Sequence, residues 1–208
     1  MIAIIDYGAG NLSSVANALA KLGQKTRIID NPRDVVSAAG IILPGVGAFE
    51  TSIRCLRKSG MDQAILECLA KEVPLLGICL GFQMLFSVSY ENGEHQGLEI
   101  FPGAVRRLPA GVKVPHMGWN QLEIENPSPL LRGIEDKSFF YFVHSYYVEP
   151  EDPALITAYT TYGCHFTSMV GRGNVYGVQF HPEKSSDLGL LLLKNFGEMV
   201  KNADNSGH

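Results

Sequence analysis

Charged residues are sparse in this 208-residue sequence: Asp, Glu, Lys and Arg make up 18%, against roughly a quarter in an ordinary soluble domain. With 46% of residues hydrophobic, that shortage disfavours both an intrinsically disordered chain and a highly charged coiled coil. Positive charge is scarcer still. Seventeen Lys and Arg face twenty-one Asp and Glu, a formal net charge of -4, so no broad basic field attracts nucleic acid or an anionic membrane surface. Long apolar runs are also missing: Met1–Ile5 gives way at once to Asp6, too short for a signal core or a bilayer span. A soluble, cytoplasmic protein with no membrane partner is expected. The four cysteines, Cys55, Cys68, Cys79 and Cys164, form no C-x-x-C pair, and a chain this long needs no disulfide staples, so reduced thiols are expected.

Glycine is plentiful, with 22 residues, and much of it falls at junctions between apolar runs. In the first half, short buried-strand patterns alternate with helical ones. Strands are expected at Met1–Ile5, Thr26–Ile29, Gly40–Leu43 and Val73–Ile78, and helices around Leu12–Leu22, from Phe49 to Lys71 and from Cys79 to Val88. From Gly93 onward the runs Asn120–Ile124, Phe139–Val148, Leu155–Tyr162, Thr167–Val170 and Asn174–Phe180 alternate more strictly, as antiparallel strands do. A helix over Leu188–Val200 and a frayed polar tail, about 201–208, complete the chain. The fold class is therefore α/β: an open, mostly parallel sheet with helices on both faces, plus added antiparallel strands, in one domain over 1–208.

The most specific local signal is Gly77-Ile78-Cys79-Leu80-Gly81, between an apolar strand and a helical run. This is a nucleophile elbow with cysteine in the serine position: a strained turn that leaves no room for flanking side chains. At a helix start, free N–H groups favour thiolate, and the Leu80 amide is placed to donate to an oxyanion. The alternative is a buried, inert core thiol. Val178-Gln179-Phe180-His181-Pro182-Glu183 supplies a base and a carboxylate two residues apart, able to face one side of an extended segment. Pro44-Gly45-Val46-Gly47 offers backbone N–H groups at another strand end. Asp6-Tyr7-Gly8-Ala9-Gly10-Asn11 fails as a dinucleotide fingerprint because Ser13 occupies the third glycine position. His116, His144 and His165 lie among apolar or aromatic neighbours without ligand spacing, so no metal or other cofactor is expected.

Taken in order, the Pro-Gly-x-Gly turn, the Cys79 elbow and His181-Pro182-Glu183 resemble the class I (triad) glutamine amidotransferases, whose fold is flavodoxin-like. An α/β-hydrolase would place the acid before the histidine, whereas here His181 precedes Glu183. With His116-Met117-Gly118-Trp119-Asn120, His144-Ser145-Tyr146 and Lys184-Ser185 added, the chain is similar over essentially its whole length to the glutaminase subunits of imidazole glycerol phosphate synthases. The resemblance implies hydrolysis of L-glutamine to glutamate and ammonia through Cys79, His181 and Glu183. It implies an oxyanion held by the Leu80 N–H and a backbone N–H of Val46 or Gly47, and substrate ends held by Gln83, Glu91 and the Ser145–Tyr146 backbone. It further implies a heterodimer with a (β/α)₈-barrel cyclase subunit of histidine biosynthesis, which receives the ammonia. Trp119, Tyr141 and Lys184 are then expected near the interface, with the Val46 turn mis-aimed until the ligand-bound cyclase docks.

Overall fold

The computed structural model describes residues 1–206. Its first part alternates β1 (Ile2–Ile5), α1 (Leu12–Lys21), β2 (Thr26–Ile29), α2 (Pro32–Val35), β3 (Gly40–Gly45), α3 (Phe49–Ser59), α4 (Met61–Ala70), β4 (Leu75–Cys79) and α5 (Leu80–Gln83). Strands dominate the rest: β5 (Phe86–Ser89), β6 (His95–Gln96), β7 (Phe101–Arg107), β8 (His116–Gln121), β9 (Glu123–Ile124), β10 (Phe139–His144), β11 (Tyr146–Pro150), β12 (Ile156–Tyr162), β13 (Cys164–Arg172) and β14 (Val175–Val178). Helix α6 (Ser186–Ser206) closes the described chain. No helix among the described residues is long and apolar enough to cross a membrane.

Strands β2, β1, β3, β4 and β14 lie side by side, each pair parallel. From β14 the sheet continues through antiparallel β13 and β11 to β7, β5 and β6, with β12 and β9 attached beside β13. Alternate residues of the central strands feed opposite faces, which is why these strands read as continuous apolar runs. Ala3, Ile5, Ile41, Leu43 and Leu75 pack with Phe49, Ile53 and Ile65 of α3 and α4. Ile2, Ile4, Ile42, Leu76 and Ile78 pack instead with Val15 and Leu19 of α1 and with Leu192, Leu193 and Phe196 of α6. Strands β8 and β10 form a separate antiparallel ribbon, with Trp119 opposite Tyr141 and His116 opposite His144.

The parallel core and its helices follow the sequence expectation, the expected strand Phe139–Val148 breaks at Ser145 into β10 and β11 of different sheets, and four further local readings change. The helix expected over Phe49–Lys71 breaks at Gly60, whose φ of 77° ends α3 in the left-handed region. The helix expected from Cys79 to Val88 lasts one turn. Phe82, Met84, Leu85 and Phe86 are all fully buried, so their run carries no helical period, and the chain re-enters the sheet as β5. The unexpected α2 starts where the Asn31 side chain accepts from the Arg33 N–H at 3.1 Å and Pro32 opens the turn. Lys201–Ser206, expected as part of a frayed tail, continue α6, and the tail's last two residues lie outside the described residues.

The tightest approach in the core is where α5 crosses β3. A Cβ on Gly81 would stand 1.8 Å from the Leu43 carbonyl oxygen, a backbone atom that cannot step aside. Gly81→Ala is therefore expected to destabilise the fold by about 3 kcal/mol or more, read as a lowered urea midpoint at unchanged slope. A midpoint within error of wild type would refute this packing.

Candidate active site

Cys79 closes β4 with φ 54° and ψ −109°, a strained conformation for a residue with a side chain. Three glycines permit it. A Cβ on Gly77 would meet the Phe82 Cα at 2.9 Å, one on Gly45 would meet the Gly81 nitrogen at 2.7 Å, and Gly81 rests on Leu43. The neighbouring Pro44–Gly47 turn is anchored by Tyr7, whose buried hydroxyl donates to the Pro44 carbonyl at 3.0 Å. Burial pushes that hydroxyl well above the ordinary phenol range. Beyond the anchor, Gly47 adopts φ 94° and Val46 is 41% exposed, so the turn's tip stands free of the core.

His181 follows β14, and its backbone N–H donates to the Tyr141 carbonyl at 2.9 Å. Pro182–Lys184 form a short 3-10 turn rather than the extended segment expected, and this turn brings Glu183 back beneath the imidazole. His181 Nδ1 lies 2.9 Å from Glu183 Oε1, with the two side chains 3% and 1% exposed. A carboxylate only accepts, so Nδ1 carries the proton. Nε2 is buried without a hydrogen-bond partner among the described residues and is the nitrogen left for proton exchange with Cys79. Burial pulls the His181 pKa down, but Cys79 and Glu183 outweigh it and hold the imidazole up at about 10.

Cys79 and His181 meet in a pocket of about 330 Å³, lined also by Val46, Gly47, Leu80, Gln83, Glu91, Ser145 and Tyr146. These are the sequence-expected residues for the oxyanion and the substrate, brought to one place from four separate segments. Two of them have prior engagements. Gln83 Nε2 donates to the Tyr146 carbonyl at 2.9 Å and to Gln179 Oε1 at 3.0 Å, so both of its N–H groups are engaged. Glu91 Oε2 accepts from the Phe49 N–H at 2.7 Å and so caps α3. The sequence reading missed Pro115, Val143 and His144 in the pocket wall. It also missed Gln179, which donates to Cys79 Sγ at 3.7 Å, and the Tyr7 anchor. Among the described residues, no group of three or more His, Cys, Asp or Glu could hold a metal ion.

The residues expected at an interface lie together outside the pocket. Trp119 is 50% exposed and stacks edge-on against Tyr141, with exposed Met117 and Phe139 on the same face of the β8–β10 ribbon. Lys184, exposed, sits in the turn that follows His181.

The family model described as Glutamine amidotransferase class-I matches residues 3–199. The chain is 55% identical over 207 residues to the imidazole glycerol phosphate synthase subunit HisH of Moorella thermoacetica, covering 100% of this chain and 99% of that one. Its identity to the same subunit of Desulfitobacterium hafniense strain Y51 is 52% over 200 residues, covering 96% and 95%. Among solved structures, one titled as a glutamine amidotransferase has a TM-score of 0.76 at 18% identity, covering 97% of this chain and 100% of that chain. PurLQS from Thermotoga maritima has a TM-score of 0.74 at 19% identity, covering 95% and 97%. These structural likenesses establish the fold.

The buried histidines give a two-sided pH dependence. The folded pKa of His181, about 10, exceeds its ordinary 6.5, so its contribution is complete below about pH 6.5 and is lost as pH rises through 10. Burial pushes His116 down to about 4 and His144 to about 3, so their contribution holds above pH 6.5 and is lost as pH falls through those values. Unfolding free energy measured in urea across pH should decline on both sides. Cys79→Ala, which removes a partner of the imidazolium, should move the alkaline decline to lower pH; an unmoved decline would separate His181 from the thiol.

Proposed function

The chain belongs to the class I glutamine amidotransferases, and from that premise we propose that it is the glutaminase subunit of a two-subunit imidazole glycerol phosphate synthase. It hydrolyses L-glutamine to glutamate and ammonia and passes the ammonia to a cyclase subunit in histidine biosynthesis. The carrying observation is the convergence of a strained Cys79 with the His181–Glu183 pair in a pocket that also gathers Gln83, Glu91, Ser145 and Tyr146. The full-length identity to HisH subunits supports the choice of pathway.

In this reading, the Cys79 thiol gives its proton to His181 Nε2, and the thiolate attacks the side-chain amide carbon of glutamine. The carbonyl's electron pair moves to oxygen, where the Leu80 N–H and a backbone N–H of Val46 or Gly47 receive it. The imidazolium then donates its proton to the departing nitrogen, ammonia leaves, and a γ-glutamyl thioester remains. Water, deprotonated by His181, attacks the thioester, and glutamate departs as the thiol recovers its proton. Glu183 holds Nδ1–H throughout, so the same nitrogen serves both half-reactions. The side-chain oxygens of Gln83 and Glu91 suit the substrate's ammonium group, and the Ser145–Tyr146 segment suits its carboxylate.

Ammonia released into water is lost, so hydrolysis should wait for the partner. The exposed ribbon face carrying Trp119 and Tyr141, together with Lys184, is the proposed docking surface for the cyclase. The solvent-facing tip of the Val46–Gly47 turn is the proposed gate, mis-aimed in the free subunit and productive when the ligand-bound cyclase docks. The whole chain acts as one amidotransferase domain of a cytoplasmic heterodimer.

Glutamate release is the test, measured for the purified chain alone and with a cyclase subunit plus its nucleotide ligand. Turnover should be strong only in the ligand-bound pair. Cys79→Ala should abolish it while the complex still elutes intact on size exclusion, and Glu183→Gln should lower kcat about 100-fold or more. Trp119→Ala should weaken the complex about 30-fold, as loss of a central aromatic anchor does. A free chain as active as the pair would sink the gating, and a bound pair without turnover would sink the catalytic assignment.

A further inference from the structure

A continuous run of hydrogen bonds links the ribbon to the nucleophile, and every direction in it can be assigned. Asn120 Oδ1 accepts from the Gln121 N–H at 2.8 Å, so its amide nitrogen is the end that donates to the Thr161 carbonyl at 3.0 Å and faces His116 Nε2 at 3.3 Å. His116 Nε2 therefore accepts. Its Nδ1 lies 2.9 Å from His144 Nε2, and His144 Nδ1 lies 2.9 Å from the Tyr146 carbonyl oxygen, which only accepts. Both rings are buried, and burial keeps both neutral, with folded values of about 4 for His116 and about 3 for His144. Each ring then has one N–H, and the carbonyl at the end fixes both on Nδ1.

The same carbonyl receives the Gln83 amide from the other side. That contact orients Gln83, whose second N–H donates to Gln179 Oε1, and Gln179 is thereby turned to aim its NH₂ at Cys79 Sγ. Both glutamines are buried, so the amides lack water as an alternative partner. Tyr146 O is the shared acceptor of the two arms.

We infer that Asn120, His116 and His144 are positioning residues: through the Tyr146 carbonyl they hold the Gln83–Gln179 pair that orients the Cys79 sulfur. Reversing the Asn120 end would reverse the chain. An acceptor facing His116 Nε2 draws a proton there, strips Nδ1, moves the His144 proton to Nε2, and leaves a bare nitrogen lone pair 2.9 Å from the carbonyl. The two cannot stay in contact, so the pocket wall shifts and Gln83 loses its reference point. This places a two-way element between Trp119, whose chain neighbour is Asn120, and the thiol. The inference rests on Cys79 being the nucleophile, and neither readout below uses glutamine.

The full-length chain labelled with ¹⁵N-histidine is examined by long-range ¹H–¹⁵N correlation at neutral pH, with His116→Phe and His144→Phe for assignment. Wild-type His116 and His144 should both show the Nδ1–H tautomer, the minor form of free imidazole. Either ring as Nε2–H or as imidazolium would overturn the proposal. In Asn120→Asp the His144 pattern should change, and alkylation of Cys79 by iodoacetamide should slow about five-fold or more. Gln179→Leu should slow it as much while leaving the tautomers alone. His116→Phe keeps the stacking of that ring on Phe142 and Tyr162 and serves if Asn120→Asp does not fold. Asn195→Ala, which removes a buried hydrogen-bonding side chain far from the site, should change neither readout. Unchanged alkylation in the folded relay variants would refute the relay. Wild-type tautomers as stated with no selective alkylation of Cys79 would overturn the relay at its last step and count against the nucleophile as well.

Discussion

The site depends on how closely one backbone approaches another where α5 leaves β4. Gly45, Gly77 and Gly81 let β3, β4 and the single turn of α5 come within distances that no Cβ would survive. That contact forces Cys79 into its left-handed conformation, and it also lays the Pro44–Gly47 turn beside the thiol, because Gly45 is the register partner of Cys79. Strain at Cys79 persists because the surrounding sheet, buried on both faces, over-determines the turn. The Pro44–Gly47 turn and Cys79 are thus at the ends of adjacent parallel strands, and the fold cannot position one without the other.

A second constraint is electrostatic. A buried imidazole would ordinarily stay neutral, as His116 and His144 do with burial the largest cause at each. His181 has the same burial but lies between a thiol and a carboxylate, and these reverse the sign of its shift. Identical side chains in one region are therefore divided into a proton carrier and two fixed neutral rings by their neighbours. Glu183 reaches its place through a one-turn bend stiffened by Pro182, so the pairing is local and tolerates little else in the sequence between.

The parallel core was legible because its strands are continuously apolar and its helices carry a clear period, as in α1. The elbow was legible because glycine at both flanks of Cys79 has a steric meaning that survives without a structure. What stayed hidden depends on contacts between distant segments. The run after Phe82 is buried on every side, so no period could tell helix from strand, and β5 emerged only through its pairing with β7 and β6. Gln179 gave no signal, since one amide in an apolar strand reads as an ordinary polar residue until Gln83, nearly a hundred residues away, is placed beside it. His116 and His144 showed in the sequence only apolar or aromatic neighbours without ligand spacing; in the structure they are buried and hydrogen-bonded to each other. Their directionality comes from Asn120 and the Tyr146 carbonyl, partners that spacing cannot reveal.

The two walls of the pocket differ in how they are held. On one side, Cys79, Leu80 and the Pro44–Gly45 base of the turn are fixed by backbone contact to the central sheet, where movement would break core packing. On the other, Val143, His144, Ser145 and Tyr146 belong to the end of the β8–β10 ribbon and the start of β11. Among the described residues, the ribbon pairs with no strand of the main sheet, and one of its faces bears Met117, Trp119 and Phe139 in solvent. A contact on that face acts on strands that are themselves part of the pocket wall. If the proposed partner docks on that face, coupling to the thiol needs no path through the rigid core: a small rotation of the ribbon, carried by the proposed hydrogen-bond relay, is enough.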